Sequence, residues 1–169
     1  MNRFVVSVLI AGTGASLVAC SSSGNAAAPP ATPPTSPTRL SAAAYTQELK
    51  KIAAEENRAQ HSVQSAFHAK TAAAVRQTLG TFADDQQRVS GELTVLVAPT
   101  DAQAANLALA HAFADNAAAT RAVVQRMAHV MTAKAALHII QTATQAQRSG
   151  HEIDAALGQL RKLGYAAGS

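Results

Sequence analysis

Tryptophan is absent from this chain of 169 residues, and aromatic residues make up only 4% of it. So sparse a set of rings gives unpaired bases little to stack on, and no nucleic-acid partner is expected. A single cysteine, Cys20, excludes a disulfide framework and a Cys-x-x-Cys-His haem attachment. Charge is scarce at 14%, with 14 basic and 10 acidic residues giving a net +4. Lys50-Lys51 and Arg161-Lys162 are the only adjacent basic pairs, which gives no stripe to follow a polyanion. There is no Glu-x-x-His pair of the di-iron bundles, no Gly-rich phosphate loop and no nucleophile elbow. The pattern therefore supplies no catalytic residue, no metal ligand set and no cofactor.

What is present begins at the N-terminus. Arg3 is the only charge before Arg39, and Phe4 to Leu17 are mostly apolar. Leu17-Val18-Ala19-Cys20 follows, then Ser21-Ser22-Ser23. This is the order of a signal peptide: a positive start, an apolar stretch and a small-residue cleavage site. The four residues resemble a bacterial lipobox, whose cysteine is acylated (a diacylglyceryl or palmitate-type modification) and becomes the first mature residue. Residues 1–20 are expected to be a lipoprotein signal peptide and Cys20 the lipidation site. Two acyl chains anchor stably where one is marginal.

Proline is confined. Pro29, Pro30, Pro33, Pro34 and Pro37 lie together, and only Pro99 lies elsewhere. With Ala, Ser, Thr, Gly and Asn between them, residues 21–39 read as a disordered tether of extended character. At about 3.1 Å per residue it reaches up to roughly 60 Å. Thr32, Thr35, Ser36 and Thr38 are acceptor positions for O-linked sugars, with an unmodified spacer the alternative.

Residues 40–165 carry helical periodicity and no strand pattern. The first stripe is Tyr45, Leu49, Ile52, Glu56, Ala59, Val63 and Ala66; the second is Val75, Leu79, Phe82, Gln86, Val89, Leu93 and Leu96. The two are out of phase, which sets a break near 68–71 with Thr71 as N-cap. Gly80 costs its helix about 1 kcal/mol relative to Ala. Pro99 closes the second helix, and Thr100 with Gln103 forms a capping-box pattern. The third stripe runs Leu109, Phe113, Asn116, Thr120, Val123, Met127, Val130, and the fourth Ile139, Ala143, Ala146, Gly150, Ile153, Leu157, Leu160. A tight turn near 131–134 separates them; a rival break is Ser149-Gly150, where Ser149 and Glu152 also match a capping box. Helices over about 42–68, 72–97, 101–131 and 133–163 make an all-α, up-down-up-down four-helix bundle.

Three polar residues fall inside the stripes. Glu56, Gln86 and Asn116 each sit near the middle of a helix, and antiparallel helices bring their middles together. They are expected to form one polar layer, with Thr120 a turn away and Gly150 leaving room. Such a layer either fixes helix register or builds a small-ligand or ion site in the interior; the further alternative is that Glu56 sits at the stripe edge and reaches water. A buried Glu56 should have partners or a raised pKa. The six histidines (His61, His68, His111, His129, His138, His151) read as surface residues, although His111 and Asp115 share a helix face. Leu137 and Ile140 lie off the fourth stripe and are the candidate surface patch, the alternative being packing in a wide core face.

The chain also resembles the small Ala-rich lipoproteins of actinobacteria, notably mycobacteria. The features are Leu-Val-Ala-Cys at 17–20, Leu93-Thr94-Val95-Leu96-Val97-Ala98-Pro99 before an Ala-rich helix, and the terminal Leu160-Arg161-Lys162-Leu163-Gly164-Tyr165. That resemblance implies an envelope protein on the outer face of the cell membrane, with no catalytic residues to carry over. The expected function is a lipid-anchored, non-enzymatic binding or scaffolding module for an envelope protein partner. The alternative is a carrier or sensor holding a small ligand or ion near Glu56, Gln86 and Asn116.

Overall fold

A computed structural model describes residues 38–143 and 148–166. Cys20, the expected signal peptide and the expected tether up to residue 37 lie outside the described residues, as does Ala146 of the fourth stripe. The described residues are helical: α1 Ala42–Ala66, α2 Ala72–Val95, α3 Gln103–Arg126, α4 Ala133–Thr142 and α5 Arg148–Lys162. Among them no helix is long and apolar enough to cross a membrane. Among the described residues the only β pairing is an isolated antiparallel bridge between Thr71 and Thr132.

Hydroxyl caps begin three of the helices. Ser41, Thr71 and Thr132 stand in extended conformation and accept from the backbone N–H groups of Ala44, Ala74 and Ala135 at 3.2, 3.2 and 3.3 Å. Each satisfies one of the amides that a helix start leaves without an internal partner. The third helix departs from expectation. It starts at Gln103 behind Ala102, and no side chain caps it. The Thr100 capping box does not form, because Pro99 to Ala102 close a turn instead, with Ala102 N donating to Pro99 O at 3.0 Å.

The expected fourth helix is two helices. Helical geometry stops at Ala143, whose ψ of 63° is not helical. The Thr142 hydroxyl donates to the His138 and Ile139 carbonyls at 2.9 and 3.2 Å, a local bond of the kind that competes with helix continuation. The rival break at Ser149-Gly150 lies close to this one: α5 begins at Arg148, so Ser149 and Gly150 are its second and third residues rather than the break itself. The turn before α4 spans 127–132, slightly ahead of the expected 131–134.

Side-chain pairs show neighbours running in opposite directions. Gln86 of α2 meets Asn116 of α3, while Arg76 reaches Met127 and Asn106 reaches Leu93. The largest interface is between α2 and α3. The buried apolar residues form two clusters. One gathers Tyr45, Leu49, Val89, Leu93, Leu109, Phe113 and Leu160 among α1, α2, α3 and α5. The other gathers Val75, Leu79, Val123, Met127, Ala136 and Ile140, where α4 covers the ends of α2 and α3. Ile140 is buried and Leu137 packs against the second cluster. The candidate patch is therefore core: α4 turns both side chains onto α2 and α3, because a short helix must bury its whole apolar face to be held.

Replacing Thr71 with Ala should cost about 1 kcal/mol, lowering Tm by roughly 3–6 °C for a domain of this size. Thr100→Ala should leave Tm unchanged within error. Thermal unfolding followed by circular dichroism distinguishes the two.

Candidate functional site

The two apolar clusters are separated by polar side chains on four helices. Gln86 on α2 is fully buried, and Asn116 on α3 and Ser149 on α5 nearly so. The Gln86 side-chain amide donates to the Glu56 carboxylate of α1. Asn116 Nδ2 donates to Gln86 Oε1 at 2.8 Å, and Ser149 Oγ donates to Asn116 Oδ1 at 3.2 Å. The structure thus brings Glu56, Gln86 and Asn116 together and adds Ser149. The positions of Glu56, Gln86 and Asn116 explain their meeting: each occupies a stripe position at mid-helix, so the same faces that bury leucines above and below bury these groups here, whereas Ser149 joins them from the first turn of α5.

Glu56 stands at the rim. It is only partly buried, and its second oxygen accepts from Gln60 Nε2 at 2.9 Å. Burial pushes its pKa up, and the nearby Asp85 adds to this. The hydrogen bonds from Gln60 and Gln86 favour the carboxylate and partly offset the rise. Thr120, one turn from Asn116, is buried with its hydroxyl lacking any hydrogen-bond partner, a state that costs free energy in a core.

A second polar node lies nearer the start of α1. Tyr45 donates its phenol to Asn106 Oδ1 at 3.1 Å, and Asn106 Nδ2 donates to the Leu93 carbonyl at 2.8 Å. That carbonyl belongs to the last turn of α2, where helices leave acceptors open. Tyr45 also meets Tyr165 edge to face, with centroids 5.2 Å apart, and Tyr165 donates to the Asp101 carboxylate at 2.9 Å. Burial, with Tyr165 beside it, pushes the Tyr45 phenol up to about 12. This node was missed in the sequence. Its one legible signal is that, of only two tyrosines, Tyr45 heads the first stripe.

Two surface grooves flank the layer. One, of about 260 Å³, is walled by Glu55, Arg58, Asp85 and Arg88. Arg88 pairs there with Glu55 at 2.6 Å and with Glu92 at 2.7 Å, contacts that are exposed and contribute little to stability. The other, of about 330 Å³, lies between α3 and α5 and includes His111, Asp115 and Glu152 over an alanine floor. Among the described residues no three His, Cys, Asp or Glu side chains converge to hold a metal ion.

Asn116→Leu removes the centre of the buried chain and strands Gln86 Oε1. The expected cost is about 1–3 kcal/mol for a group left without a partner, read by urea unfolding. Glu56 predicts a pH trend of the opposite sense to an ordinary ion pair. Its folded pKa is raised, so the folded state holds the proton more tightly than the unfolded chain. The cost of ionising it is absent below about 4.5, the ordinary glutamate value, and is complete once pH has passed the raised value. Stability attributable to Glu56 therefore falls as pH rises through that window. Glu56→Gln should flatten this part of the stability–pH curve; an unchanged slope would contradict the assignment.

Comparison with protein families, with curated proteins and with solved structures finds no match for this chain, so its functional reading rests on its own residues.

Proposed function

We propose that this protein is an exported lipoprotein, anchored through acylated Cys20 on the outer face of the cell membrane, whose helical domain serves as a binding or scaffolding module for an envelope protein. The observation that carries this is Leu17-Val18-Ala19-Cys20 at the end of the N-terminal apolar stretch, with Cys20 the sole cysteine. The actinobacterial type of small lipoprotein is the family proposed. In this reading α1, α2, α3 and α5 form the up-down-up-down frame of the bundle, and α4 is an added brace at one end.

The root of the tether supports the same reading. Leu40 N donates to Val97 O at 2.9 Å, and Arg39 donates to Ala98 O at 2.8 Å. Any tension from an anchor would arrive at a point fixed to the turn between α2 and α3.

A second reading, a carrier for a small ligand between the helices, draws on the partnerless Thr120 hydroxyl. Against it, the amides of Gln86 and Asn116 already bond to one another and to Glu56 and Ser149. The register role therefore fits the layer better.

In membranes washed at high salt, which screens electrostatic contacts, Cys20→Ser should move the protein of an expressing actinobacterial host to the soluble extracytoplasmic fraction, and it should abolish labelling by a fatty-acid analogue. Retained labelling would exclude Cys20 as the acylated residue. Native mass spectrometry of the released protein tests the carrier: an extra mass lost in Glu56→Leu favours it, and a bare mass favours the partner module.

A further inference from the structure

The charges look dispersed along the chain, but the fold separates them. No Asp or Glu occurs in 57–83 or in 116–151. The first stretch contains Arg58, Lys70 and Arg76; the second contains Arg121, Arg126, Lys134 and Arg148. Every histidine except His111 also falls within them. The first stretch makes the end of α1, the turn to α2 and the start of α2. The second makes the later half of α3, the turn to α4, α4 itself and, past residues 144–147 that lie outside the described ones, the first turn of α5 with Arg148 and His151.

The structure joins these two turns at one end of the domain. The Thr71–Thr132 bridge links them directly. Arg76 Nη1 donates from α2 to the Met127 and Val130 carbonyls at 3.0 and 2.9 Å and braces the second turn. Lys70, Arg126 and Lys134 are exposed there, with His68 and His129. Between them Met131 projects with 88% of its surface exposed. The opposite end differs. Its Lys50, Lys51, Arg161 and Lys162 are interleaved with Glu48, Glu92 and Asp101, and Lys51 is paired with Glu48 at 2.7 Å.

We propose that this acid-free end, with Met131 at its crest, docks on an anionic lipid bilayer. Two features select a bilayer. Lys and Arg near an anionic leaflet are attracted by its surface potential. A projecting thioether gains from entering the interfacial region, whereas a soluble polyanion offers that side chain nothing. The near-absence of exposed rings removes the stacking that single-stranded nucleic acid needs. The contact is a second point of membrane engagement, independent of Cys20. It is compatible with the anchor proposed above, because a tether reaching roughly 60 Å exceeds the length of a 24-residue helix such as α2, about 36 Å.

The test uses the full chain with Cys20→Ser in every sample, so its outcome does not depend on lipidation. Met131→Cys then carries a single environment-sensitive dye. Vesicles of phosphatidylcholine alone are compared with vesicles containing phosphatidylglycerol; residues 1–20 meet both, and the dye reports only on the crest. A blue shift confined to the anionic vesicles and suppressed by salt is expected. Each neutralised charge should weaken it about fivefold, so Lys70→Gln, Arg126→Gln and Lys134→Gln together should weaken it on the order of a hundredfold. Lys50→Gln with Lys162→Gln, at the other end, should change it less than about twofold; circular dichroism checks that each variant keeps its helices. An equal shift on neutral vesicles, or one unmoved by the triple substitution, overturns the proposal. A response to soluble polyphosphate with none to vesicles also overturns it and assigns the end to a soluble polyanion.

Discussion

Everything in this domain is arranged around one buried hydrogen-bonded chain, Glu56 to Gln86 to Asn116 to Ser149, which crosses α1, α2, α3 and α5. An apolar core of alanine, valine and leucine packs acceptably in more than one register, because small side chains interlock weakly. Amides are less forgiving. Sliding α3 one turn along α2 would part Asn116 from Gln86 and leave Asn116 Nδ2 and Gln86 Oε1 buried without that bond. That penalty, about 1–3 kcal/mol per group, is a sizeable fraction of what a whole domain has to spare. The layer therefore adds less to stability than to uniqueness.

Its position has a further consequence. The core is divided into an upper cluster around Tyr45, Leu109 and Phe113 and a lower one around Val75, Met127 and Ile140. Each is small, and each has its own polar brace. Asn106 holds the upper one by tying Tyr45 to the final turn of α2. Arg76 holds the lower one by tying α2 to the turn after α3. Side chain to backbone bonds of this sort satisfy the open carbonyls of helix ends and turns, so they fix elements that alanine packing alone would hold loosely.

Much of this was legible. The phase shift between the first two stripes located the α1–α2 turn, and Thr71 caps α2 as its position suggested. Glu56, Gln86 and Asn116 could be brought together because mid-helix positions meet in antiparallel neighbours. The break between α4 and α5 was hidden by coincidence. Ile139, Ala143, Gly150 and Ile153 keep seven-residue spacing across it, and neither Gly nor Pro stands at Ala143. The periodicity of an alanine-rich segment is a weak guide, since alanine fits buried and exposed faces alike. Leu137 and Ile140 were misplaced for the same reason: they were judged against the stripe of α5, whereas α4 has its own facing surface on α2 and α3. Thr100 failed as a cap because Pro99 and the turn it starts compete for the same backbone.

The charge pattern was present in the residue order but had no meaning until the turns were joined. Acidic residues bracket the two acid-free stretches, at Glu56 and Asp84 and again at Asp115 and Glu152. In the fold, Glu56 lies in the polar layer, and Asp115 and Glu152 share the groove beside it. Asp84 pairs with Arg121 at 3.0 Å. The layer that fixes register is thus also close to the boundary where acidic side chains stop. Beyond it, charge of one sign accumulates at no cost to an interior, since Lys70, Arg126 and Lys134 are exposed. Self-repulsion within such an end disfavours the compact state, and Arg76 together with the Thr71–Thr132 bridge opposes it. A surface under that electrostatic load is relieved by a facing anionic layer, which is the physical reason for expecting it to meet one.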